Sequence, residues 1–83
     1  MASVIFFASI REELNCHELS LTLADNCTIS DLIGKLAEDQ GENWHAALTA
    51  ENVRIAVNQE FITGNPVLCN GDEIAFFPPV TGG

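Results

Sequence analysis

The terminal carboxylate of the 83-residue chain is the group with the most distinctive chemistry, because it follows two glycines, Gly82 and Gly83. A diglycine end has no side chains, so it can enter a narrow channel and present its carboxylate to another protein's active site. Attachment of AMP would turn the carboxylate into a mixed anhydride, and attack by a sulfur nucleophile would then leave a thiocarboxylate. A frayed terminus would have the same composition, so the preceding residues must decide between the two interpretations.

The other side chains form no recognisable catalytic pattern. No nucleophile has an adjacent base, no carboxylate pair has a familiar spacing, and no glycine-rich phosphate loop follows a strand. Asp72 and Glu73 follow a turn, and we expect both to be solvated. Cys16, Cys27 and Cys69 cannot all pair with one another and lack the spacing of a zinc site, so we expect free, mostly buried thiols. We therefore expect no metal and no bound cofactor.

Composition limits the partners of the chain. Three basic residues, Arg11, Lys35 and Arg54, stand against twelve acidic ones, and the net charge is −9. This charge disfavours nucleic acid and anionic membranes, and it favours a basic protein partner or simply solubility. The sequence has no basic, apolar leader and no apolar run long enough for a bilayer, so we expect a single soluble, cytoplasmic domain.

Hydrophobic alternation predicts the strands and helical periodicity predicts the helices. A capping-box pattern from Ser9 to Glu12 indicates a short helix. The main helix is expected after Thr28 as its N-cap, with an apolar stripe that ends before Gly41. A further helical turn is expected at residues 44–48. The predicted strands cover residues 3–8, 19–23, 53–57 and 73–77, with a short edge segment around residues 61–62.

This order of elements predicts an α+β fold, the β-grasp (ubiquitin-like) roll. One long helix cannot cover both faces of a mixed sheet of about five strands, so it should pack across one face. The first and last strands should lie side by side at the centre. We expect residues 1–77 to form this domain and residues 78–83 to form a flexible tail that leaves from the middle strand.

The strand pattern also predicts an exposed aromatic cluster beside the tail. If Ile74 and Phe76 face the helix, Phe77 points to the opposite face. Phe6 and Phe7 should be divided between the two faces in the same way, and Phe61 lies on the edge segment. Exposed aromatic rings beside a reactive tail would form a docking patch. The alternative, that these rings complete a small core, stays open at this point.

Several short motifs, and above all the block that closes the chain, form a recognisable pattern. They are Phe6-Phe7-Ala8, Arg11-Glu12, Ala56-Val57-Asn58-Gln59 and the closing block Gly71-Asp72-Glu73-Ile74-Ala75-Phe76-Phe77-Pro78-Pro79-Val80-Thr81-Gly82-Gly83. With these motifs, the whole chain resembles the small subunits of molybdopterin synthases, which are ubiquitin-like sulfur carriers. Sulfur carriers of the thiamine pathway share the fold and the diglycine but typically lack the Phe-Pro-Pro approach.

The resemblance implies a function for the tail. Gly83 would be adenylated by an ATP-consuming enzyme similar to ubiquitin-activating enzymes, and a persulfide donor would supply the sulfur of a thiocarboxylate. The chain would then insert Pro78, Pro79, Val80, Thr81 and Gly82 into the large synthase subunit. There its sulfur would build the dithiolene of molybdopterin from the cyclic pterin precursor. The catalytic side chains would belong to the large subunit, so the small subunit is not an enzyme on its own.

The resemblance also implies an assembly and an interface. Two small subunits would bind a dimer of large subunits, which makes a heterotetramer. Phe7, Arg11, Phe61 and Phe77 would contact the partner. Two other kinds of protein stay open as alternatives: a ubiquitin-like modifier whose Gly83 forms isopeptide bonds with lysines, and an interaction domain with an inert tail. A sulfur carrier of another pathway, such as thiamine biosynthesis, is a third.

Overall fold

The computed structural model describes residues 1–79, which form five strands and three helices. Their order is β1 (Ala2–Phe6), α1 (Ala8–Leu14), β2 (Glu18–Leu21), α2 (Ile29–Gln40), α3 (Glu42–Leu48), β3 (Arg54–Val57), β4 (Glu60–Phe61) and β5 (Glu73–Phe77). Each strand and helix predicted from the sequence is present, with shifts of a few residues at the ends.

The five strands form one mixed sheet in the order β2-β1-β5-β3-β4. The first and last strands are parallel neighbours, with Val4 opposite Ile74 and Phe6 opposite Phe76. The other three pairings are antiparallel. The β-grasp prediction is thus confirmed, and β5 is the middle strand. It ends at Phe77, where two prolines follow that cannot donate to a ladder.

The core lies between one face of the sheet and the helices. The alternating residues of β1 and β5 that face the helices are fully buried, and they include Phe6, Ile74 and Phe76. Helix α2 contributes an apolar stripe of four buried side chains: Ile29, Leu32, Ile33 and Leu36. Helix α3 contributes Trp44, whose ring meets Phe6 edge-on with centroids 5.3 Å apart. Each large side chain buried in this way adds about 1.5–3 kcal/mol of hydrophobic stabilisation.

Helix α2 begins where the sequence predicts. The Thr28 hydroxyl accepts a hydrogen bond from the Asp31 N–H at 3.2 Å, and the Asp31 carboxylate accepts one from the Thr28 N–H at 3.1 Å. This reciprocal capping box satisfies two backbone donors at the start of the helix. The helix ends at Gly41, whose φ of 127° is strained for a residue with a side chain.

The predicted start of α1 and the predicted burial of the thiols were both wrong. The expected capping box at Ser9 is absent, because Ser9 already lies inside α1, which begins at Ala8 with Phe7 as its N-cap. The chain turns sharply at Ala8, with a φ of 50°, so no extended residue precedes Ser9. The thiols are free but not mostly buried: Cys27 is buried, Cys16 is half-buried and Cys69 is exposed.

Candidate docking surface beside the C-terminal segment

The sheet face opposite the helices is built by the register of the strands. In β5, Phe77 lies opposite Arg54 of β3, and Ala75 lies opposite Ala56. Ala56 in turn lies opposite Phe61 of β4. Because paired residues point to the same side of a sheet, these side chains share the face that the helices leave uncovered. Small alanines at its centre leave room for the rings that surround them.

Three phenylalanines meet on this face and form what we call the aromatic patch: Phe7, Phe61 and Phe77. The rings of Phe7 and Phe77 are stacked, with centroids 4.5 Å apart and planes 7° from parallel. The Phe61 ring contacts the Phe77 ring with centroids 5.5 Å apart and planes tilted by 59°. Phe7 is 38% exposed and Phe61 is 64% exposed, whereas Phe77 is half-buried between them. The predicted division of Phe6 and Phe7 between the two faces is therefore confirmed.

The backbone holds Phe7 in place although it lies just beyond β1. Its N–H donates to the carbonyl of Phe76 at 3.1 Å, which continues the β1–β5 ladder by one residue. Its own carbonyl accepts from Ile10 at 3.2 Å in the first turn of α1. Phe7 is thus fixed from both sides, and its ring is held on the sheet face that the helices leave uncovered.

Arg54 borders the patch and was not identified as a site residue from the sequence. Its guanidinium carbon lies 6.0 Å from the centroid of the Phe61 ring, a cation–π distance. A groove of about 530 Å³ opens beside it, and Phe61, Ile62 and Pro79 are among its lining residues. The alternation from Val53 to Val57 carried the missed signal, because it places Arg54 opposite the side chains that face the helices.

A hydrogen-bonded clamp fixes the two strands that carry the patch. The Asn58 amide donates to one oxygen of the Asp72 carboxylate at 2.9 Å, and the other oxygen accepts from the Cys69 N–H at 2.8 Å. The Asn58 side-chain oxygen accepts from the Glu73 N–H at 3.0 Å. The expectation that Asp72 is merely solvated is therefore wrong, because its carboxylate closes the turn that leads into β5.

The predicted interface residues are only partly brought together. Phe7, Phe61 and Phe77 form one patch, whereas Arg11 is an exposed residue of α1 outside the ring stack. Arg11 lies one helical turn beyond Phe7, to whose carbonyl its N–H donates at 3.4 Å. Pro78 and Pro79 follow β5 and are half-buried. The other predicted tail residues, Val80, Thr81, Gly82 and Gly83, lie outside the described residues.

The titratable side chains of residues 1–79 suggest no alternative site. No group of three His, Cys, Asp or Glu side chains in this part of the chain has the arrangement of a metal site. Burial raises the pKa of the Cys27 thiol above its ordinary value of 9.0, the Asp31 carboxylate raises this pKa further, and the Lys35 ammonium opposes both. A thiol held neutral in this way is a poor nucleophile. None of the described helices is long and apolar enough to cross a bilayer.

A five-stranded mixed sheet in the order β2-β1-β5-β3-β4, with helices packed across one face, defines a ubiquitin-like domain. The sequence model of the ThiS family matches residues 4–83, and the chain belongs to that family. It is 36% identical over 83 residues to the molybdopterin synthase sulfur carrier subunit of Haemophilus influenzae, with 100% of both chains covered. It is 40% identical over 83 residues to the same subunit of Escherichia coli, again with 100% of both covered.

Solved structures agree with this fold. One is a complex of subunits 1 and 2 of the molybdopterin-converting factor from Helicobacter pylori, with 28% identity and a TM-score of 0.65. The match covers 99% of this chain and 97% of that one. Another is a putative subunit 1 of the same factor from Pyrococcus furiosus, with 26% identity and a TM-score of 0.72. Here the match covers 95% of this chain and 97% of that one. SAMP1 from Haloferax volcanii is similar in fold alone. It has 23% identity and a TM-score of 0.76, and the match covers 99% of this chain and 98% of that one.

Proposed function

We propose that this chain is the sulfur-carrier small subunit of a molybdopterin synthase. The observation that carries the proposal is its similarity, over the full length, to two relatives with that name, at 36% and 40% identity. The sheet topology supports it, because the segment that leads to Gly83 leaves the middle strand directly beside the aromatic patch. The tail that begins at Pro78 and Pro79 would therefore start beside the surface that a partner covers.

In the proposed cycle, an ATP-consuming enzyme similar to ubiquitin-activating enzymes transfers AMP to the carboxylate of Gly83 and releases pyrophosphate. The outer sulfur of a persulfide donor attacks the carbonyl carbon, a carbon–sulfur bond forms, and AMP leaves. A thiol of the donor system then breaks the sulfur–sulfur bond of this acyl disulfide. That thiol ends in a disulfide with the donor, and the chain keeps the thiocarboxylate. The chain binds no cofactor of its own in this cycle.

The loaded chain would then dock on the large synthase subunit. Residues 78–83 enter its active site, and the thiocarboxylate sulfur attacks a carbon of the cyclic pterin precursor, from which an oxygen substituent leaves. Water then cleaves the acyl–sulfur bond, which returns the carboxylate of Gly83 and leaves the sulfur on the pterin. Two such transfers from two loaded chains build the dithiolene of molybdopterin. The large subunit supplies the catalytic side chains, so the chain acts as a sulfur donor rather than as an enzyme. Two small subunits bind a dimer of large subunits. We place these reactions in the cytoplasm, where the activating enzyme has access to ATP.

The aromatic patch suits such a transient contact. Large aromatic side chains anchor interfaces at low cost in conformational entropy. Here Phe7 and Phe77 are already stacked in the free chain, so little freedom remains to be lost when a partner covers them. The surrounding charge of −9 would speed the approach of a basic partner.

The proposal is tested by following the intact mass of the chain. We expect incubation with ATP, the activating enzyme and the sulfur donor to replace one oxygen by sulfur. Addition of the large subunit and the pterin precursor should then restore the original mass as the dithiolene forms. A variant without Gly83, and one with a residue added after it, should keep the wild-type melting temperature but stay unloaded. Normal loading of either variant, or a series of lysine conjugates in place of loading, would overturn the proposal.

A further inference from the structure

Arg54 is the basic residue that the fold places on the face of the aromatic patch. The other two basic residues lie on helices, Arg11 on α1 and Lys35 on α2. Arg54 is exposed, lies opposite Phe77 in the β3–β5 ladder, and holds its guanidinium 6.0 Å from the Phe61 ring centroid. It therefore lies within the surface that a partner docking on the patch would cover.

The charge of Arg54 has no counter-ion in the described part of the chain. Within residues 1–79 the one ion pair joins Lys35 to Asp39 at 3.7 Å, on the surface of α2. Beside Arg54 lies the groove of about 530 Å³, which is lined by Arg54 itself and by Asn52, Val53, Ile55, Phe61, Ile62, Gly64 and Pro79. A partner that fills this groove would remove water from the guanidinium, and an unpaired charge in such a place is strongly unfavourable.

We infer that Arg54 is a specificity-determining contact, which pairs with an aspartate or glutamate side chain of the large synthase subunit. This inference rests on the proposed function, because it takes the large subunit as the partner. The planar guanidinium can bind both oxygens of a carboxylate at once. The guanidinium carbon already lies 6.0 Å from the centroid of the Phe61 ring, and this cation–π contact favours orientations of Arg54 toward the patch.

Charge complementarity explains why the contact selects partners. The net charge of −9 attracts basic surfaces in general, whichever protein carries them. At Arg54 the sign is reversed, so a basic surface without a carboxylate at this point would meet a like charge. Specific interfaces commonly combine a favourable contact for the correct partner with an unfavourable one for others. Arg54 can supply both.

The test measures binding of full-length variants to the cognate large subunit by isothermal titration. We expect Arg54→Gln to weaken binding by about tenfold or more. The affinity of Arg54→Lys should lie between that of Arg54→Gln and that of the wild type. Arg54→Glu should be weaker still, because two carboxylates would then face each other. Matched controls are Lys35→Gln and Lys35→Glu, which change the net charge equally on a helix remote from the patch. These controls should stay within about twofold of the wild type or bind slightly more tightly.

The order of the Arg54 variants decides the outcome. If Arg54→Glu binds as tightly as the wild type or more tightly, a basic or neutral group faces this position and the inference is wrong. Equal effects of Arg54→Gln and Lys35→Gln would also refute it, because only the overall charge would then matter. A wild-type chain that fails to bind the large subunit at all would instead refute the proposed function, together with the inference that depends on it. Thermal melts of each variant should match the wild type, because Arg54 is exposed.

Discussion

The side chains of Asn58 and Asp72, which are 14 positions apart in the chain, are joined by a 2.9 Å hydrogen bond that ties one end of the sheet together. Asn58 begins the two-residue turn between β3 and β4, where it and Gln59 have φ values of 52° and 70°. Asp72 closes the turn that leads into β5. The bond thus connects the hairpin that carries Phe61 to the strand that carries Phe77.

Asn58→Ala should lower the free energy of unfolding by about 1–3 kcal/mol. The change leaves the Glu73 N–H without its partner and places alanine at a positive φ, and both effects destabilise. Urea denaturation measures the loss. Gln59→Gly is the control, because it relieves the positive φ of the adjacent residue without removing the clamp. It should leave the free energy of unfolding unchanged or slightly raised. If the free energy of unfolding of Asn58→Ala lay within about 0.5 kcal/mol of the wild-type value, the clamp would contribute nothing to stability.

Phe76 and Phe77 are adjacent in β5 but should respond to mutation in opposite ways. Phe77→Ala should weaken binding to the large subunit by about 2 kcal/mol or more, because the ring is the centre of the exposed patch. Phe76→Ala should instead cost about 3–5 kcal/mol of folding free energy, because its ring is fully buried. Isothermal titration and thermal melts of the two variants separate these effects. Unchanged affinity with a collapsed melting temperature for Phe77→Ala would assign this ring to the core.

Gly34→Ala should raise the free energy of unfolding by up to about 1 kcal/mol. Gly34 lies inside α2, and a Cβ built there meets nothing within 4 Å, so alanine keeps all contacts and gains helix propensity. Gly41→Ala is the matched control. Its φ of 127° and an Asn43 side-chain oxygen 3.0 Å from the new Cβ predict destabilisation. If both variants lost stability in chemical denaturation, propensity would not explain the effect at Gly34.

The three cysteines should react with iodoacetamide in the order of their exposure. We expect Cys69 to react first, Cys16 next, and Cys27 only after unfolding. Peptide mapping of the alkylated chain gives the order directly. Early modification of Cys27 in the folded chain would contradict its burial.

Burial also gives Cys27 a defined effect on stability at high pH. Because folding raises the pKa of its thiol above the ordinary value of 9.0, the folded chain holds this proton more tightly than the unfolded chain. The stabilisation is therefore fully present below pH 9.0 and is lost as pH rises through the higher pKa of the folded state. Urea denaturation on either side of that pH should show a steeper decline for the wild type than for Cys27→Ala. Parallel declines would contradict the raised pKa.

Local patterns in the sequence were sufficient to predict most of the fold. The alternation around Phe76 and Phe77 correctly divided the core from the exposed face, and Thr28 with Asp31 correctly marked the start of α2. The start of α1 predicted at Ser9 was wrong because a capping pattern is a local signal. The actual start of α1 follows from the ladder bond between Phe7 and Phe76. That bond depends on a strand far away in the chain.

The site was predictable only where strand alternation alone decided it. Alternation was enough to predict that Phe77 lies on the face opposite the helices. The contact of Phe77 with Phe61, and its pairing with Arg54, depend on which strands are neighbours and in which register. The structural role of Asp72 was missed for the same reason, since its partner Asn58 belongs to a different turn. Long-range pairing of this kind leaves no periodic signal in a single sequence.

The central claim, that the carboxylate of Gly83 carries the sulfur, is tested most directly by locating the added sulfur within the chain. Trypsin cleaves after Arg54 and releases a peptide, residues 55–83, that contains both Cys69 and Gly83. Fragmentation of this peptide after loading should place the exchange of oxygen for sulfur at Gly83, and a chain with all three cysteines replaced should load equally well. Sulfur found on Cys69 or another cysteine, with an unmodified Gly83, would contradict the account.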